Sequence, residues 1–360
     1  MLSVCCAMNV HAQLANGFYR VQNTKTDRYI SIQDNNPSNY NLNISTQRVS
    51  MAGIRTIKPW NKVSTMPSTI IYVRQHGGNE YDLECQGTSI HEISGNLVFV
   101  TLTLQSDGSY KASGSYKGFE LTISDASEDG DEKYLKNSST STQNWWAKPI
   151  NSDNYLGIDP DVEVGGKYYG TIYASFPYKL ASSGMKAYYV SEASGSGFKM
   201  EEIEGVIPAA TPVVIECSSS DPANNQVEPV DIDAASLYTL NKLNGVYCDM
   251  ATPSRFNAKY YDSSIHRVIG SSGGKLAFVK ASGSDLTDGS YLKANKAYLV
   301  VPSNASDVLT MDGETGISTV KADDTTAKQG TYTLTGVSIP EGVTPRPGVY
   351  IKNGKKVVIK

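Results

Sequence analysis

The side chains that most often carry out catalysis are scarce in this sequence. Three of its histidines, His76, His91 and His266, lie beyond the apolar N-terminal residues. Histidine is the commonest general base and a frequent metal ligand, so this small number leaves few ways to build either kind of site. His91-Glu92 has no second histidine at helical spacing, which excludes the zinc-protease motif. We therefore expect no catalytic residues, no metal and no cofactor.

One serine motif has the form Gly-x-Ser-x-Gly, with Ser272 at its centre. Such a motif exposes a nucleophile only where a strand precedes it and a helix follows it. Residues 275–279, Lys-Leu-Ala-Phe-Val, follow here and have the character of another strand. The pattern thus predicts a hairpin turn. A hydrolase with an active site between domains, using His91 or His266, is the alternative.

The densest acidic run, residues 125–132, imitates a calcium-binding loop. Oxygen-bearing side chains alternate along it, and Gly130 stands at the sixth position. The twelfth position is Lys136, whereas an EF-hand requires a bidentate glutamate there. We therefore expect a solvated acidic loop without a metal.

The composition is typical of strands and turns. The 360 residues include 31 glycines and 23 tyrosines, against only 7 phenylalanines and 3 tryptophans. Tyrosine favours strands and glycine favours turns, so a mostly helical chain is not expected. The formal net charge is −4 and no basic cluster occurs, which argues against a nucleic-acid partner. No apolar run reaches the ~18 residues of a transmembrane helix.

Residues 1–12 are small and apolar, and they end in Val-His-Ala, which has small residues at the two positions that signal peptidase reads. The segment is short and lacks a basic start, so we interpret it as the end of a truncated signal peptide. A mildly apolar terminus of a cytosolic protein is the alternative. Cys85, Cys217 and Cys248 follow, too few for a disulfide-rich module. Cys217 and Cys248 could pair, or all three could be core thiols.

Residues 13–150 have the pattern of one all-β unit. Residues 18–22 and 28–32 alternate in polarity around a turn, which predicts a hairpin. Further strands are predicted at 70–74, 80–85, 97–104, 110–113 and 119–123.

Two motifs in this unit resemble those of ricin-type β-trefoil domains. They are the opening strand pair, Tyr19-Arg20-Val21-Gln22-Asn23 with Arg28-Tyr29-Ile30, and the sequence Gln143-Asn144-Trp145. The resemblance implies a β-trefoil in which Trp145 closes a repeat, and a sugar-binding aspartate after the opening strands, for which Asp34 is the nearest match. Asp34 and Trp145 are thus candidate ligand-binding residues, with a plain core role for Trp145 as the alternative.

Residues 151–302 contain an internal repeat. The segment 207–215, Ile-Pro-Ala-Ala-Thr-Pro-Val-Val-Ile, parallels 292–300, Leu-Lys-Ala-Asn-Lys-Ala-Tyr-Leu-Val, and upstream 187–190 parallels 276–279. This spacing predicts a duplicated β unit, with modules at 151–231 and 232–302. The pattern resembles a repeated β-sandwich-like module of exported Bacteroidetes proteins. Six tyrosines between 168 and 189 could line a core or a glycan-binding surface, and core packing is the simpler interpretation.

Residues 303–360 are predicted to be a linker followed by a tail. Few residues between 303 and 330 could build a core, and strands resume at 331. Asn353-Gly354 between two apolar strands predicts a hairpin. This end resembles the C-terminal sorting tails of exported Bacteroidetes proteins, which implies the type IX secretion machinery as a partner. A terminal hairpin packed on the preceding domain is the alternative.

These features together predict an all-β protein that is exported, and secreted or held at the outer surface. We expect it to bind a glycan or a surface protein of a host or matrix, without catalysis. A secreted hydrolase with an unrecognised site and a structural protein of surface assembly are the alternatives.

Overall fold

The computed structural model describes residues 13–32, 40–43, 48–86, 88–89, 100–116, 119–138, 141–232, 240–248, 259–284, 286–311, 331–333, 338–339, 348–352 and 355–359. Strands make up 49% of it and helices 4%, which confirms the all-β class. The described helices are α1 (Trp60–Val63) and two 3-10 turns, Pro67–Thr69 and Pro222–Asn224. None of these is long and apolar enough to cross a membrane. The chain divides into two compact units, 1–314 and 315–360.

The first half of the larger unit is built on a six-strand barrel. The strands of this region are β1 (Gly17–Asn23), β2 (Tyr29–Ile32), β3 (Tyr40–Asn43), β4 (Arg48–Ile57), β5 (Ile71–Gly77), β6 (Glu80–Cys85), β7 (Thr88–Ser89), β8 (Val100–Leu104), β9 (Tyr110–Tyr116), β10 (Phe119–Asp125), β11 (Glu132–Ser138) and β12 (Trp145–Pro149). Six of them pair in a closed ring, in the order β1, β5, β6, β8, β9 and β12. Closure gives each ring strand a partner on both sides.

Strand β1 joins the ring to the hairpin that the sequence predicted. Val21 pairs with Ala147 of β12, and Gln22 pairs with Tyr29 of β2. The hairpin predicted between residues 18 and 32 is therefore confirmed.

The Gln-x-Trp motif fastens the last barrel strand to the first. Trp145 is 1% exposed, and its indole N–H donates to the carbonyl of Ile123 at 3.0 Å. The Gln143 side-chain oxygen accepts from the Asn23 amide at 2.8 Å and from the Asp125 backbone N–H at 2.7 Å. Gln143 thus links the start of β12 to β1 and to the end of β10, and Trp145 links β12 to β10.

The acidic run is organised around a guanidinium of the chain itself. Arg28 pairs with Asp125 at 2.7 Å, and both side chains are buried. The carbonyls of Ala126, Glu128 and Gly130 also accept hydrogen bonds from this guanidinium. Alternate backbone carbonyls therefore converge on the Arg28 guanidinium, whereas an EF-hand binds Ca²⁺ mainly through side-chain oxygens.

This arrangement corrects the expectation that the whole run is solvated. Residues 127–132 are exposed, as expected, but Asp125 is buried. Its second oxygen accepts from the Thr56 hydroxyl at 2.6 Å. A buried carboxylate needs such partners to offset the loss of water.

A second buried arginine ties the barrel to the segment that follows it. Arg20 donates to the Thr69 hydroxyl at 3.0 Å, to the Asn154 side chain at 2.9 Å and to the Tyr155 carbonyl at 2.7 Å. Its guanidinium also lies 5.1 Å from the ring centroid of Trp60. Burial lowers the pKa of Arg20 to about 9, which still leaves it charged at neutral pH. The hydrogen bonds of this guanidinium thus connect the barrel to the first module.

Three further sheets follow the barrel. Their strands are β13 (Leu156–Gly157), β14 (Val162–Val164), β15 (Lys167–Ile172), β16 (Tyr178–Leu180), β17 (Lys186–Ala193), β18 (Phe198–Ile203), β19 (Val213–Cys217), β20 (Gln226–Pro229), β21 (Leu243–Gly245), β22 (His266–Ser272), β23 (Lys275–Val279), β24 (Ala297–Val300) and β25 (Val308–Thr310). A three-stranded sheet has the order β13-β20-β16. The first five-stranded sheet has the order β14-β15-β19-β17-β18, and the second has β21-β24-β22-β23-β25.

Both faces of the first five-stranded sheet are buried. In β19, Val213 and Ile215 belong to the apolar core that contains Leu156 of the three-stranded sheet. Val214, between them, belongs to the core that contains Leu299 of the second five-stranded sheet. An uninterrupted Val-Val-Ile run is typical of a strand covered on both sides. The three sheets are therefore layered, with the first five-stranded sheet in the middle.

The two five-stranded sheets share a pairing order, since β15-β19-β17-β18 corresponds to β21-β24-β22-β23. The repeat segments 207–215 and 292–300 lead into the equivalent strands β19 and β24. Within them Ala210 and Asn295 occupy the same place, and both have a left-handed backbone, with φ of 54° and 56°.

The prediction that residues 187–190 and 276–279 are equivalent in the repeat is wrong. Residues 187–190 lie in β17, the first strand of a hairpin, whereas 276–279 lie in β23, the second strand of the equivalent hairpin. Both segments are apolar strands followed by a Gly/Ser turn, and this pattern does not distinguish the first strand of a hairpin from the second.

A buried amide pair joins the barrel to both modules. Gln86, just after β6, and Asn295 donate to each other's side-chain oxygens at 3.1 and 2.9 Å. Gln86 also donates to the Tyr247 carbonyl at 2.7 Å, and Asn295 donates to the Tyr173 carbonyl at 2.9 Å. The Tyr173 and Tyr247 rings stack at 4.2 Å beside the pair. All four amide hydrogens are therefore used.

The smaller unit contains a four-stranded sheet. Its strands are β26 (Thr331–Thr333), β27 (Ser338–Ile339), β28 (Gly348–Lys352) and β29 (Lys355–Ile359), in the order β27-β26-β28-β29. Lys352 pairs with Lys355, so the strands of the predicted terminal hairpin are present. The turn residues Asn353 and Gly354 lie outside the described residues.

We expect Arg28→Met to lower the free energy of unfolding by about 3–5 kcal/mol, because it leaves Asp125 buried without its cation. Chemical denaturation checks this value. The control is Arg74→Met, which breaks the exposed Arg74–Glu84 pair and should cost under about 1 kcal/mol. Equal losses in the two variants would contradict the structural role of the buried pair.

We expect Gly245→Ala to destabilise the protein by about 1–3 kcal/mol. A Cβ at this position would meet Cγ of Tyr173 at 2.1 Å, and the stack with Tyr247 hinders the ring from moving away. Gly195→Ala is the matched control, because its Cβ would meet only the Ala305 Cα at 3.8 Å. Similar melting temperatures for the two variants would show that the stack yields easily.

Candidate functional site

The two ligand-binding residues suggested by the sequence have different outcomes. Asp34 lies outside the described residues, and its role stays a prediction. Trp145 is in the barrel core, where both faces of its ring are covered by protein. The cavity beside it has a volume of about 20 Å³ and an apolar lining, so it offers a water molecule no hydrogen-bond partner.

The histidines fall in separate places. His76 is half-exposed in β5, and His91 lies outside the described residues. His266 is 2% exposed, and its Nδ1 accepts the Asp262 backbone N–H at 2.9 Å. Its ring packs edge-on to Tyr298, with centroids 5.1 Å apart. Among the described residues no serine or cysteine is hydrogen-bonded to His266, and no metal-binding cluster of acidic, histidine or cysteine side chains occurs.

Ser272 lies at a hairpin turn, as the sequence predicted. It pairs with Lys275 across β22 and β23, and Gly273 and Gly274 form the two-residue connection with φ of 56° and 72°. Two left-handed residues are what such a tight hairpin needs. A strand, and no helix, follows the motif.

The cysteines and tyrosines named from the sequence are mostly structural. Cys85, Cys217 and Cys248 are buried free thiols. Burial raises the pKa of the Cys217 thiol to about 12, which keeps it protonated and unreactive. Among the tyrosines, Tyr178 is fully buried and Tyr189 donates to Glu201 at 2.7 Å.

A groove of about 260 Å³ lies beside the second five-stranded sheet and is lined by residues of both modules. We call it the β22–β24 groove. Register places its floor residues in one row across three strands, because Val268 pairs with both Val279 and Tyr298. Its wall consists of the apolar residues Ala281, Leu286 and Leu292.

One end of this groove is charged. The Lys296 ammonium lies 2.9 Å from Asp161, and the two side chains are 28% and 22% exposed. Asp161 is held in turn by the Thr171 backbone N–H at 2.8 Å. Lys293 stands on the rim and is exposed, and no carboxylate of the described part lies within 4 Å of it. The lining of the groove thus contains two ammonium groups and one carboxylate.

Two tyrosines form a separate feature on the loops of the same module. The rings of Tyr260 and Tyr291 stack with centroids 4.4 Å apart, and their hydroxyls are hydrogen-bonded at 2.7 Å. Tyr260 is 46% exposed. An isolated β-bridge between the two residues fixes their backbones. The pair is therefore a preformed aromatic surface with bound hydroxyls.

The chain matches no protein family model, no curated protein and no solved structure at a significant level. Its function is therefore inferred from its own geometry.

Sequence reasoning missed both the groove and the tyrosine pair. One usable signal was present in the repeat. The second copy has Lys293 and Lys296 where the first has Pro208 and Thr211. Charged residues that occur in only one copy of a repeat are not needed for the shared fold, so they indicate a surface with a function of its own.

We expect His266 to make the protein less stable in acid. Burial lowers the pKa of His266 below its ordinary value of 6.5. As the pH falls through about 6.5, the unfolded chain therefore takes up this proton first, and stability decreases with falling pH. Free energies of unfolding between pH 8 and pH 5 should fall less in His266→Gln than in the native protein. An unchanged slope in His266→Gln would contradict the assignment.

Proposed function

We propose that this protein is an exported, non-catalytic binding protein for a glycan or for a surface protein of a host or matrix. The observation that carries this proposal is the stacked pair of the exposed Tyr260 and the half-buried Tyr291. Large exposed aromatic groups are costly in water and often mark interaction sites. Sugar rings stack on such faces, and a pair that is already ordered loses little entropy on binding.

The arrangement of possible catalytic groups supports binding over hydrolysis. Ser272 is in a hairpin turn, and the buried His266 is hydrogen-bonded through Nδ1 to a backbone N–H. Within the part of the chain that the structure describes, neither residue is hydrogen-bonded to the partner that a nucleophilic mechanism needs. Export is proposed from the apolar residues 1–12 and from the sorting-type tail, with the secretion machinery as its partner.

We also propose a ricin-type β-trefoil for the barrel region and β-sandwich-like modules after it. The closed six-strand ring and the buried Trp145 support the first proposal. The two apolar cores on opposite faces of the first five-stranded sheet support the second. A trefoil would place a second sugar site at Asp34, apart from the tyrosine pair.

A glycan array probed with the full chain tests the proposal, followed by titration with the best ligand. Tyr260→Ala should weaken binding by up to about tenfold, because one stacking face is lost. Tyr260→Phe keeps the ring and should bind nearly as well. Val300→Ala, which truncates an exposed side chain of the neighbouring sheet, should have no effect.

Asp34→Ala is the second arm of this experiment. Loss of binding in Asp34→Ala with native binding in Tyr260→Ala would move the sugar site to the barrel. Failure of the full chain to bind any polysaccharide or mucin would contradict the glycan proposal.

A further inference from the structure

We propose that the β22–β24 groove binds a small amphipathic monocarboxylate, with its apolar body on the Val268–Val279–Tyr298 floor and its carboxylate at the lysine end. This site is separate from the tyrosine pair and does not depend on the glycan proposal. Its charged end joins the two modules, because Asp161 precedes β14 and Lys296 precedes β24.

The groove is apolar along most of its length. Val268, Val279 and Tyr298 form a continuous row, and Leu286 and Leu292 extend it up the wall. Water in contact with such a surface is released favourably when an apolar group replaces it. The groove offers about 260 Å³ of open space beside these side chains, which is room for a ligand. The volume is just under the ~300–1,000 Å³ of sites for drug-sized ligands, so the ligand is small.

The charge at the end of the groove selects an anion. Asp161 already neutralises Lys296, and Lys293 adds a positive charge that no described carboxylate balances. A single carboxylate would therefore complete the neutralisation. A dianion would bring excess negative charge close to Asp161, and an ammonium ligand would meet two lysines. The half-buried position of Lys296 reduces screening by solvent.

The backbone holds this end in place before any ligand arrives. Asp161 is fixed by the Thr171 N–H, and the Thr171 hydroxyl accepts from the Ala297 N–H at 3.2 Å. Lys296 follows Asn295, whose left-handed backbone and amide pairing with Gln86 set the direction of the chain. A preorganised charge of this kind binds a ligand with a smaller entropic cost.

Calorimetric titration of the full chain with three ligands of one chain length tests the proposal. Octanoate should bind about tenfold more tightly than 1-octanol, because a charge-assisted hydrogen bond adds to the apolar contact. Octylammonium should bind more weakly than 1-octanol. Equal affinities for octanoate and 1-octanol would overturn the proposal.

Variants locate the binding. Lys293→Gln should remove most of the preference for octanoate and leave the affinity for 1-octanol unchanged. Lys275→Gln, on the hairpin turn of the same sheet, is the matched control and should keep the native preference. Ala281→Phe fills the groove and should abolish binding of both ligands, with native folding checked by thermal unfolding. Native binding in a folded Ala281→Phe, or an unchanged preference in Lys293→Gln, would overturn the proposal; the lysine variant decides alone if Ala281→Phe does not fold.

Discussion

The reciprocal hydrogen bonds between Gln86 and Asn295 are the constraint on which the larger unit depends. Each side chain comes from a residue with a left-handed backbone, and each also holds a carbonyl of a stacked tyrosine. Buried amides are costly unless every donor and acceptor is used, so this pair permits one relative placement of barrel and modules. Apolar contacts are less directional than these hydrogen bonds, so they alone would allow several placements. The junction therefore fixes the geometry, and the apolar cores on either side supply most of the stability.

The same junction prepares the groove. The chain leaves Asn295 directly into Lys296, and the ammonium reaches Asp161 of the other module. The groove thus combines a floor from one sheet with a charged end shared by two modules. The tyrosine pair stands on loops of the second module and is held by its own hydroxyl bond. Two surfaces of different chemistry are therefore carried by one rigid framework.

Local patterns predicted the elements well, and long-range pairing poorly. The hairpin at residues 18–32 and the turn at Ser272 follow from alternation and from glycines that need a left-handed backbone. The upstream repeat was assigned to the wrong strand because both strands of a hairpin have the same pattern. Asp125 looked solvated because its partner, Arg28, is 97 positions away in the chain. The groove and the tyrosine pair form only where distant segments meet, as Asp161 meets Lys296, so no single window of sequence contains them.

The arginine inside the acidic loop has a consequence for how the barrel depends on its surroundings. A dissolved ion occupies a carbonyl-lined loop according to its concentration, and a chelator can remove it. The Arg28 guanidinium is covalently attached to the chain, so its effective concentration at the loop is fixed by the fold. The loop therefore keeps this buried positive charge in calcium-poor and calcium-rich media alike. The carbonyls of Ala126, Glu128 and Gly130 are thus occupied by a group of the protein itself, and their role is structural.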